Sequence, residues 1–257
     1  KCLQSLKKNF ITEIILVDGN STDNTIKIAR KYCSKILFDK GTGLGAARNF
    51  GVKHTRGKYV LNCGSDNIMT NNSIKKMLET LTINKATAVS CLTYVRGNNY
   101  FSKAMNMYKK KRFFPGKRNI IGTPTLFIGS ILRKNNFNIY STHSDDSELC
   151  NRLYKKKLGN FYICNAKALE IGTGNFKSIF SRWSRYGISD YEIFKNNVKK
   201  WSFLRKLNSI FYPFNNEIIK PLKNLNILKK GYIFPFLILI TFIRYFSWSK
   251  TFIKNLI

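Results

Sequence analysis

Short apolar runs alternate with amphipathic stretches along the first third of the chain. The runs EIILVD, KILFDK and KYVLNCGSD are rich in β-branched residues and end in polar turns, which predicts three strands. The stretches STDNTIKIARKYC, GLGAARNFGVKHT and SIKKMLETL follow them with helical spacing, and ATAVSCLTYV is a fourth predicted strand. This alternation predicts a mixed, mostly parallel sheet with helices on both faces. Ligands of such sheets bind at the carboxyl ends of the strands.

The pattern is less regular in the second half of the chain. Residues 98–118 are basic and aromatic and are predicted to lie on the surface, whereas IGTPTLFIGSILRK resumes a strand-like run. DDSELCNRLYKKKLG is a predicted helix that begins with acids and ends with lysines, as the helix dipole favours. After NFYICNAKALEIG the sheet pattern ends. The residues beyond it are predicted to be helical, basic and aromatic.

The most hydrophobic window is Gly231–Trp248. Its uninterrupted apolar part ends at Arg244 and is shorter than the roughly 20 residues that a spanning helix needs. Aromatic residues and lysines flank it, as in segments that lie at a membrane interface. Two interpretations stay open, a membrane-associated segment and a buried helix. We therefore predict three regions, 1–177, 178–230 and 231–257.

The chain is strongly basic. It has 45 Lys and Arg residues against 13 Asp and Glu among 257, a formal charge of +32. The excess indicates an anionic partner such as nucleic acid, acidic lipid or a phosphorylated small molecule. Six cysteines without a C-x-x-C pair and only two histidines argue against a zinc site and are typical of reduced thiols.

Because carboxylates are scarce, those that cluster at predicted turns invite a functional explanation. Asp18 and Asp66 each lie where a predicted strand ends. Asp23 lies near the start of the following helix, where we expect it to cap that helix. Asp145 and Asp146 precede a predicted helix, and there they either complement its dipole or act in catalysis.

Two other classes of function have some support. GTGLGA matches the dinucleotide-binding pattern G-x-G-x-x-G/A of NAD-type oxidoreductases, but it follows the second predicted strand rather than the first. A nucleic-acid-binding protein would explain the charge and segments such as KKKRFF. The lysines are dispersed, however, so nucleic acid is not expected as a partner.

Four motifs taken together resemble a known family. LVDGNSTDNT, GLGAARNFG, GKYVLNCGSDN and DDSELCNRL are similar, in order and spacing, to the conserved segments of family 2 glycosyltransferases. The resemblance implies a Rossmann-like GT-A fold, here followed by a helical, partly membrane-associated extension. It also implies an inverting enzyme that transfers a hexose from a nucleotide-diphosphate sugar, expected to be a UDP-sugar.

The resemblance also implies roles for individual residues. Asp146 is the general base supported by Asp145, and Asp66 is the ligand of Mg or Mn. Asn49 is expected to brace loops. The nucleotide sugar is expected to contact Asp18, Arg48, Ser65 and Asp66. The acceptor is expected to contact Arg182 and Trp183.

The sequence departs from the family pattern at the metal motif. Gly64 stands where the first acid of D-x-D is expected, and Asn67 replaces another acid. The expected metal site therefore has fewer carboxylate ligands than the family pattern, and a catalytically inactive relative of the family stays open as an alternative.

The partners implied are a nucleotide-sugar donor, a lipid-linked or cell-surface polysaccharide acceptor and an anionic membrane surface. The expected location is the cytoplasmic face of the cell membrane. The first strand of the family's sheet is expected to lie upstream of Lys1.

Overall fold

The computed structural model describes residues 1–9, 11–39, 41, 43–139, 145–223 and 225–255. They form two compact units. The first consists of Lys1–Tyr94 and Phe114–Ile171, and the second of Val95–Phe113 and Gly172–Ile257. Residues 98–113 of the basic segment therefore belong to the same unit as the C-terminal helices, and residues 114–118 to the first unit.

Strands and helices alternate in the first half of the chain, as the pattern predicts. The strands are β1 (Ile15–Asp18), β2 (Lys35–Phe38), β3 (Tyr59–Asn62), β4 (Asn67–Met69), β5 (Ala88–Val95), β6 (Gly116–Arg118), β7 (Thr125–Ile128) and β8 (Phe161–Glu170). The helices are α1 (Cys2–Lys7), α2 (Thr25–Ala29), α3 (Leu44–Lys53), α4 (Ser73–Ile83), α5 (Tyr100–Arg112), α6 (Gly129–Lys134), α7 (Asp145–Lys155), α8 (Phe176–Asn197), α9 (Phe203–Phe214), α10 (Lys220–Leu222) and α11 (Ile227–Lys254). A π-helical turn, Asn215–Ile219, joins α9 to α10.

The strands form a mixed set of pairings, as predicted. β1 and β2 pair in parallel as a two-stranded sheet, and the larger sheet has the order β3-β7-β5-β8-β4, with β6 beside β8. β7 is antiparallel to both β3 and β5, so these two strands run in the same direction. The strand–helix alternation thus predicts their common direction correctly. It does not reveal that a later strand inserts between them.

Helices of the first unit bury apolar faces against this sheet. Met77 and Leu81 of α4 are four residues apart on one face and lie in a core with strand residues of β5, β7 and β8. Leu149 and Leu153 of α7 have the same spacing and pack with Phe161 on the sheet. This packing orients α7, so that the acids of its first turn lie at the edge of the same core.

In the second unit, α11 packs along α8. Ile233, Leu237 and Ile240 recur at helical spacing and are fully buried. The helices come close at Gly187, where an added Cβ would lie 2.1 Å from the carbonyl oxygen of Arg244. Among the described residues, no helix combines the length and apolarity that crossing a bilayer requires.

A network of paired charges is buried within this unit. The Arg244 guanidinium, on the otherwise apolar α11, binds Glu217 and Asp190, with its Nη2 donating to Asp190 Oδ1 at 2.8 Å. The π-helical turn carries Glu217 to an almost fully buried position, where the Tyr108 hydroxyl also donates to it. Arg112 contributes a further ion pair at 3.4 Å. Because buried charges need partners, this network explains how Arg244 is accommodated in a hydrophobic helix.

Candidate functional site

Polar side chains meet at the edge of the larger sheet where β3 ends and β7 begins. Asn62, the last residue of β3, pairs with Thr125, the first residue of β7. Thr123 lies two residues before β7, and its Oγ1 accepts a hydrogen bond of 3.5 Å from Asn62 Nδ2. The carboxyl end of a strand therefore carries a polar cluster, as the alternating pattern predicts.

Arg48 of α3 joins this cluster to the two acids that begin α7. Its Nη1 pairs with Asp145 Oδ2 and lies 3.2 Å from Asp146 Oδ1. Its Nη2 donates to Thr123 Oγ1 at 3.1 Å, and the Thr123 hydroxyl donates to Asp146 Oδ2 at 3.2 Å. Arg48, Asp145 and Asp146, which were assigned from separate motifs, thus lie together, with Thr123 as a fourth member.

The position of α3 is fixed by a neighbouring segment of the chain. Asn49 Nδ2 donates to the Phe137 carbonyl at 2.8 Å, and the Phe137 amide donates to Asn49 Oδ1 at 2.7 Å. The prediction that Asn49 braces loops is therefore confirmed. An added Cβ at Gly45 would lie 2.6 Å from the Asn138 carbonyl oxygen, so a glycine permits the close approach. Arg48 also lies over the Phe137 ring, with 5.2 Å between its Cζ and the ring centroid.

The environment of Asp146 favours its neutral form more than water does. Burial raises the pKa of its carboxyl, and Asp145 acts in the same direction, whereas Arg48 and the hydrogen bond from Thr123 oppose the shift. A carboxylate whose pKa is raised toward neutrality is a stronger base than an ordinary one. The side chain is still 24% exposed, so a hydroxyl group from solvent can reach it.

Asp18 and Asp23 make local contacts at the turn after β1. Asp18 is buried at the strand end, and its carboxylate accepts from Ser21 N at 2.9 Å and from Ser21 Oγ at 2.6 Å. Asp23 accepts from the amide of Thr25, the first residue of α2, at 2.9 Å. Asp23 thus satisfies the first amide of α2, as the capping prediction expects, but from the position before Asn24, which is the N-cap residue. The described contacts of Asp18 order the turn, and its role in base recognition stays a prediction.

The turn after β3 holds the residues expected to bind metal. Asp66 Oδ1 accepts from Asn67 Nδ2 at 3.0 Å, and an added Cβ at Gly64 would lie 2.6 Å from Asp66 Oδ1. The carboxylate of Asp66 thus folds back over the position where the family carries another acid. Ser65, which lies between Gly64 and Asp66, is exposed.

The oxygen atoms of this turn suit part of a site for Mg or Mn. Asn67 Oδ1 is a buried acceptor without a hydrogen-bond partner beside the Asp66 carboxylate, and both are the hard oxygen ligands that these ions prefer. Within the part of the chain that the structure describes, no group of three or more His, Cys, Asp and Glu side chains is placed to hold a metal ion. Asp66 and Asn67 would therefore hold such an ion only together with water and the oxygens of a bound diphosphate.

The residues expected to contact the acceptor lie on α8 in the second unit. Trp183 is 2% exposed, and its ring packs edge-to-face against Tyr108, Tyr186 and Phe236. The prediction that Trp183 stacks on an acceptor sugar needs correction, because its ring is enclosed in the core of α5, α8 and α11. Arg182 is half-buried, and its role stays a prediction.

Sequence reasoning missed Thr123 and Asn62. Neither belongs to a motif of charged residues, and a threonine before Pro124 or an asparagine at a strand end has many other uses. Their involvement follows only from the pairing of β3 with β7, which joins residues about 60 positions apart. The position of Asn62 at a strand end was the one available signal.

Comparison with known proteins agrees with the class that this fold and site define, an α/β protein with an acidic site at a sheet edge. Residues 1–142 match the family model described as glycosyl transferase family 2. This match covers more than half of the chain, which therefore belongs to that family. This family match does not support the dinucleotide-binding or the nucleic-acid-binding interpretation.

Similar curated proteins match part of the chain. An uncharacterized glycosyltransferase of Rickettsia typhi is 32% identical over 134 residues, which cover 48% of this chain and 42% of that protein. The chain thus spans about two fifths of the length of this curated relative.

Solved structures resemble the chain over almost its whole length. A crystal structure of Staphylococcus aureus TarS 1–349 in complex with UDP-GlcNAc has a TM-score of 0.54 at 13% identity and covers 97% of this chain and 85% of that chain. Mannosyltransferase PcManGT of Pyrobaculum calidifontis, in complex with GDP-Man and Mn²⁺, has a TM-score of 0.56 at 13% identity, with coverage of 97% and 78%. At these identities the likeness shows the fold, and the predicted GT-A fold is confirmed.

Proposed function

We propose that this protein is an inverting glycosyltransferase that transfers a hexose from a nucleotide-diphosphate sugar to an acceptor hydroxyl. The observation that carries the proposal is the cluster of Arg48, Thr123, Asp145 and Asp146 at the sheet edge. Moving a sugar requires a base for the acceptor proton and groups that neutralise the diphosphate. In a single displacement, the deprotonated acceptor oxygen attacks the anomeric carbon while the diphosphate leaves from the opposite side.

Asp146 is the base in this proposal. Its raised pKa and its residual exposure suit a group that takes a proton from an incoming hydroxyl. Asp145 and Thr123 hold Arg48 and Asp146 in place, and Arg48 supplies positive charge next to the acids. Asp18 and Ser65 are assigned to the nucleotide sugar, Asp18 from its position at the strand end and Ser65 from its exposure in the turn.

The donor in this proposal is a UDP-sugar, and the cation is Mg or Mn. Support comes from the TarS complex with UDP-GlcNAc and the PcManGT complex with Mn²⁺, both of which share the fold. A divalent ion, when bound, would offset the negative charge of the departing diphosphate. Asp66 is the protein carboxylate assigned to it.

The second unit is proposed to bind an anionic membrane, with a lipid-linked or cell-surface polysaccharide acceptor at the cytoplasmic face. Ile227 and Leu228 of α11 are 85% and 83% exposed and directly precede Lys229 and Lys230. Phe203 of α9 is also largely exposed. Apolar side chains beside lysines are the composition that inserts shallowly into a membrane carrying negative charge.

The catalytic proposal is tested by measuring the release of UDP or GDP from a panel of nucleotide sugars, with and without Mn²⁺. We expect Asp146→Asn to lower turnover by on the order of a hundredfold or more, the usual size of acid–base catalysis. Donor binding, followed by thermal stabilisation, should be retained. Near-normal turnover in this variant would remove Asp146 from the mechanism.

The membrane proposal is tested separately by sedimentation with vesicles of phosphatidylglycerol or phosphatidylcholine. We expect the protein to bind the anionic vesicles, and Ile227→Ser with Leu228→Ser to weaken that binding. Ile83→Ser is a matched control, because Ile83 is 80% exposed on the first unit. Binding that is equal for both lipids, or equally weakened by the control, would count against the proposal.

A further inference from the structure

Two thiols meet beside the turn that follows β3. Cys2, the first residue of α1, has its Sγ 3.5 Å from the carbonyl oxygen of Gly64, and Cys63 has its Sγ 3.6 Å from the same oxygen. Both thiols therefore lie against the same carbonyl oxygen. Both are half-buried free cysteines, although 60 positions of sequence separate them.

Buried hydrogen bonds fix α1 in the position that creates this pair. Ser5 Oγ accepts from the Met69 amide at 3.0 Å, and Asn9 Oδ1 accepts from the Ile74 amide at 3.4 Å. Leu6 lies in the same buried core as Met69. These contacts hold Cys2 beside Cys63, with the Sγ atoms of both residues against the Gly64 carbonyl oxygen.

The surroundings of the two thiols shift their pKa values in opposite directions. The neighbouring Cys63 thiol lowers the pKa of Cys2, and burial opposes that shift. The neighbouring Cys2 thiol and burial both raise the pKa of Cys63. The thiolate is the nucleophile in thiol–disulfide exchange, so Cys2 is suited to attack and Cys63 to complete the reaction.

We propose that Cys2 and Cys63 form a dithiol site that reacts with a small-molecule disulfide, such as oxidised glutathione, and closes as a disulfide. The Cys2 thiolate attacks one sulfur of the small disulfide, breaks its S–S bond and releases one thiolate. Cys63 then loses its proton and attacks Cys2 Sγ, which releases the second thiolate. Two protein thiols are thereby oxidised, and one small disulfide is reduced to two thiols.

The bond would join α1 to the turn that carries Asp66. Cys63 directly precedes Gly64, and the Asp66 carboxylate lies over that glycine. The site is therefore a point at which oxidation alters a turn without touching Arg48 or Asp146. This inference rests on the packing of the two thiols and does not depend on sugar transfer.

Peptide mapping of the folded protein tests the proposal directly. Trypsin places each of the six cysteines on a different peptide, with Cys2 on residues 2–7 and Cys63 on residues 59–75. After incubation with oxidised glutathione and an acid quench, we expect these two peptides to be cross-linked, with the loss of two hydrogen atoms. Dithiothreitol should reverse the link.

The matched controls use a third cysteine of the same core. Cys33 packs against the core that Cys2 and Cys63 flank, so Cys33→Ser should keep the cross-link, whereas Cys2→Ser should abolish it. As a measurement that needs no variant, phenylarsine oxide should bind the folded protein and protect both thiols from alkylation. Any one of three results would overturn the proposal. Cys2 could form its disulfide with Cys33 instead of Cys63, or it could stop at a mixed disulfide with glutathione that Cys63 does not attack. The third result is a Cys2–Cys63 disulfide that forms only when the protein is unfolded in urea.

Discussion

Replacing Thr123 with Val removes one hydroxyl from the centre of the proposed site and leaves the shape of the side chain unchanged. That hydroxyl lies within hydrogen-bonding distance of Arg48, Asp146 and Asn62, at 3.1, 3.2 and 3.5 Å. Hydrogen bonds to charged groups contribute about 1.5–3 kcal/mol each. Because Arg48 and Asp146 keep other partners and some exposure, we take about 1.5–3 kcal/mol for the whole change.

If the transition state uses this arrangement, the same free energy appears in the rate. Since 1.4 kcal/mol corresponds to a factor of ten, kcat/KM should fall roughly tenfold to a hundredfold in Thr123→Val. Thr123→Ser keeps the hydroxyl and should recover most of the activity. The assay is nucleotide release at saturating acceptor, measured across pH.

The pH profile distinguishes a positioning role from a general loss of packing. The hydrogen bond from Thr123 lowers the pKa of Asp146, although burial raises it overall. Removing the bond should raise that pKa further, so the acidic limb of the rate profile should move to higher pH in Thr123→Val and not in Thr123→Ser. An unchanged limb, or equal losses in the two variants, would refute the proposed role of Thr123.

Three further predictions concern stability. Because burial raises the pKa of Asp146 in the folded protein, ionisation of this carboxyl costs folding stability as pH rises above the ordinary carboxyl pKa of about 4. Asp146→Asn should therefore gain stability over wild type in urea unfolding as pH rises above that value; a steady difference across pH would contradict this. Arg244→Leu leaves Glu217 without its main partner and should cost about 3–5 kcal/mol, part of which Glu217→Gln should restore in the double variant. Asn49→Ala breaks two hydrogen bonds to the Phe137 backbone and should lower the free energy of unfolding by about 1–3 kcal/mol. Asn49→Ser should lower it by at least as much, because the shorter side chain cannot reach both the amide and the carbonyl of Phe137.

The parts of the site that the sequence predicts are those encoded by local pattern. The contact of Asp23 with the start of α2 is predicted because the residues around it form a turn before an amphipathic stretch. Arg48 and the acids of α7 belong to motifs whose order and spacing resemble the family, and the structure brings them together. The bracing role of Asn49 follows from the same motif.

The parts that the sequence does not predict depend on contacts between distant segments. β7 inserts between β3 and β5, and only that insertion carries Thr123 to Asp146. The enclosure of Trp183 similarly depends on α5, which lies more than 70 residues earlier. An aromatic residue on an amphipathic helix looks the same in sequence whether its ring meets solvent or another helix.

The hydrophobic window at α11 shows why its two interpretations could not be separated from composition. One face of the helix is buried against α8, and Arg244 on that face is neutralised by Asp190 and Glu217, which lie 54 and 27 positions earlier. The opposite face exposes Phe242 and Phe246, which stack on each other at 6.2 Å between ring centroids. Hydropathy averaged around the helix therefore combines a core face with an exposed aromatic face. The buried-helix interpretation is therefore confirmed for the face against α8, and membrane contact stays a proposal for the exposed face that Phe242 and Phe246 form.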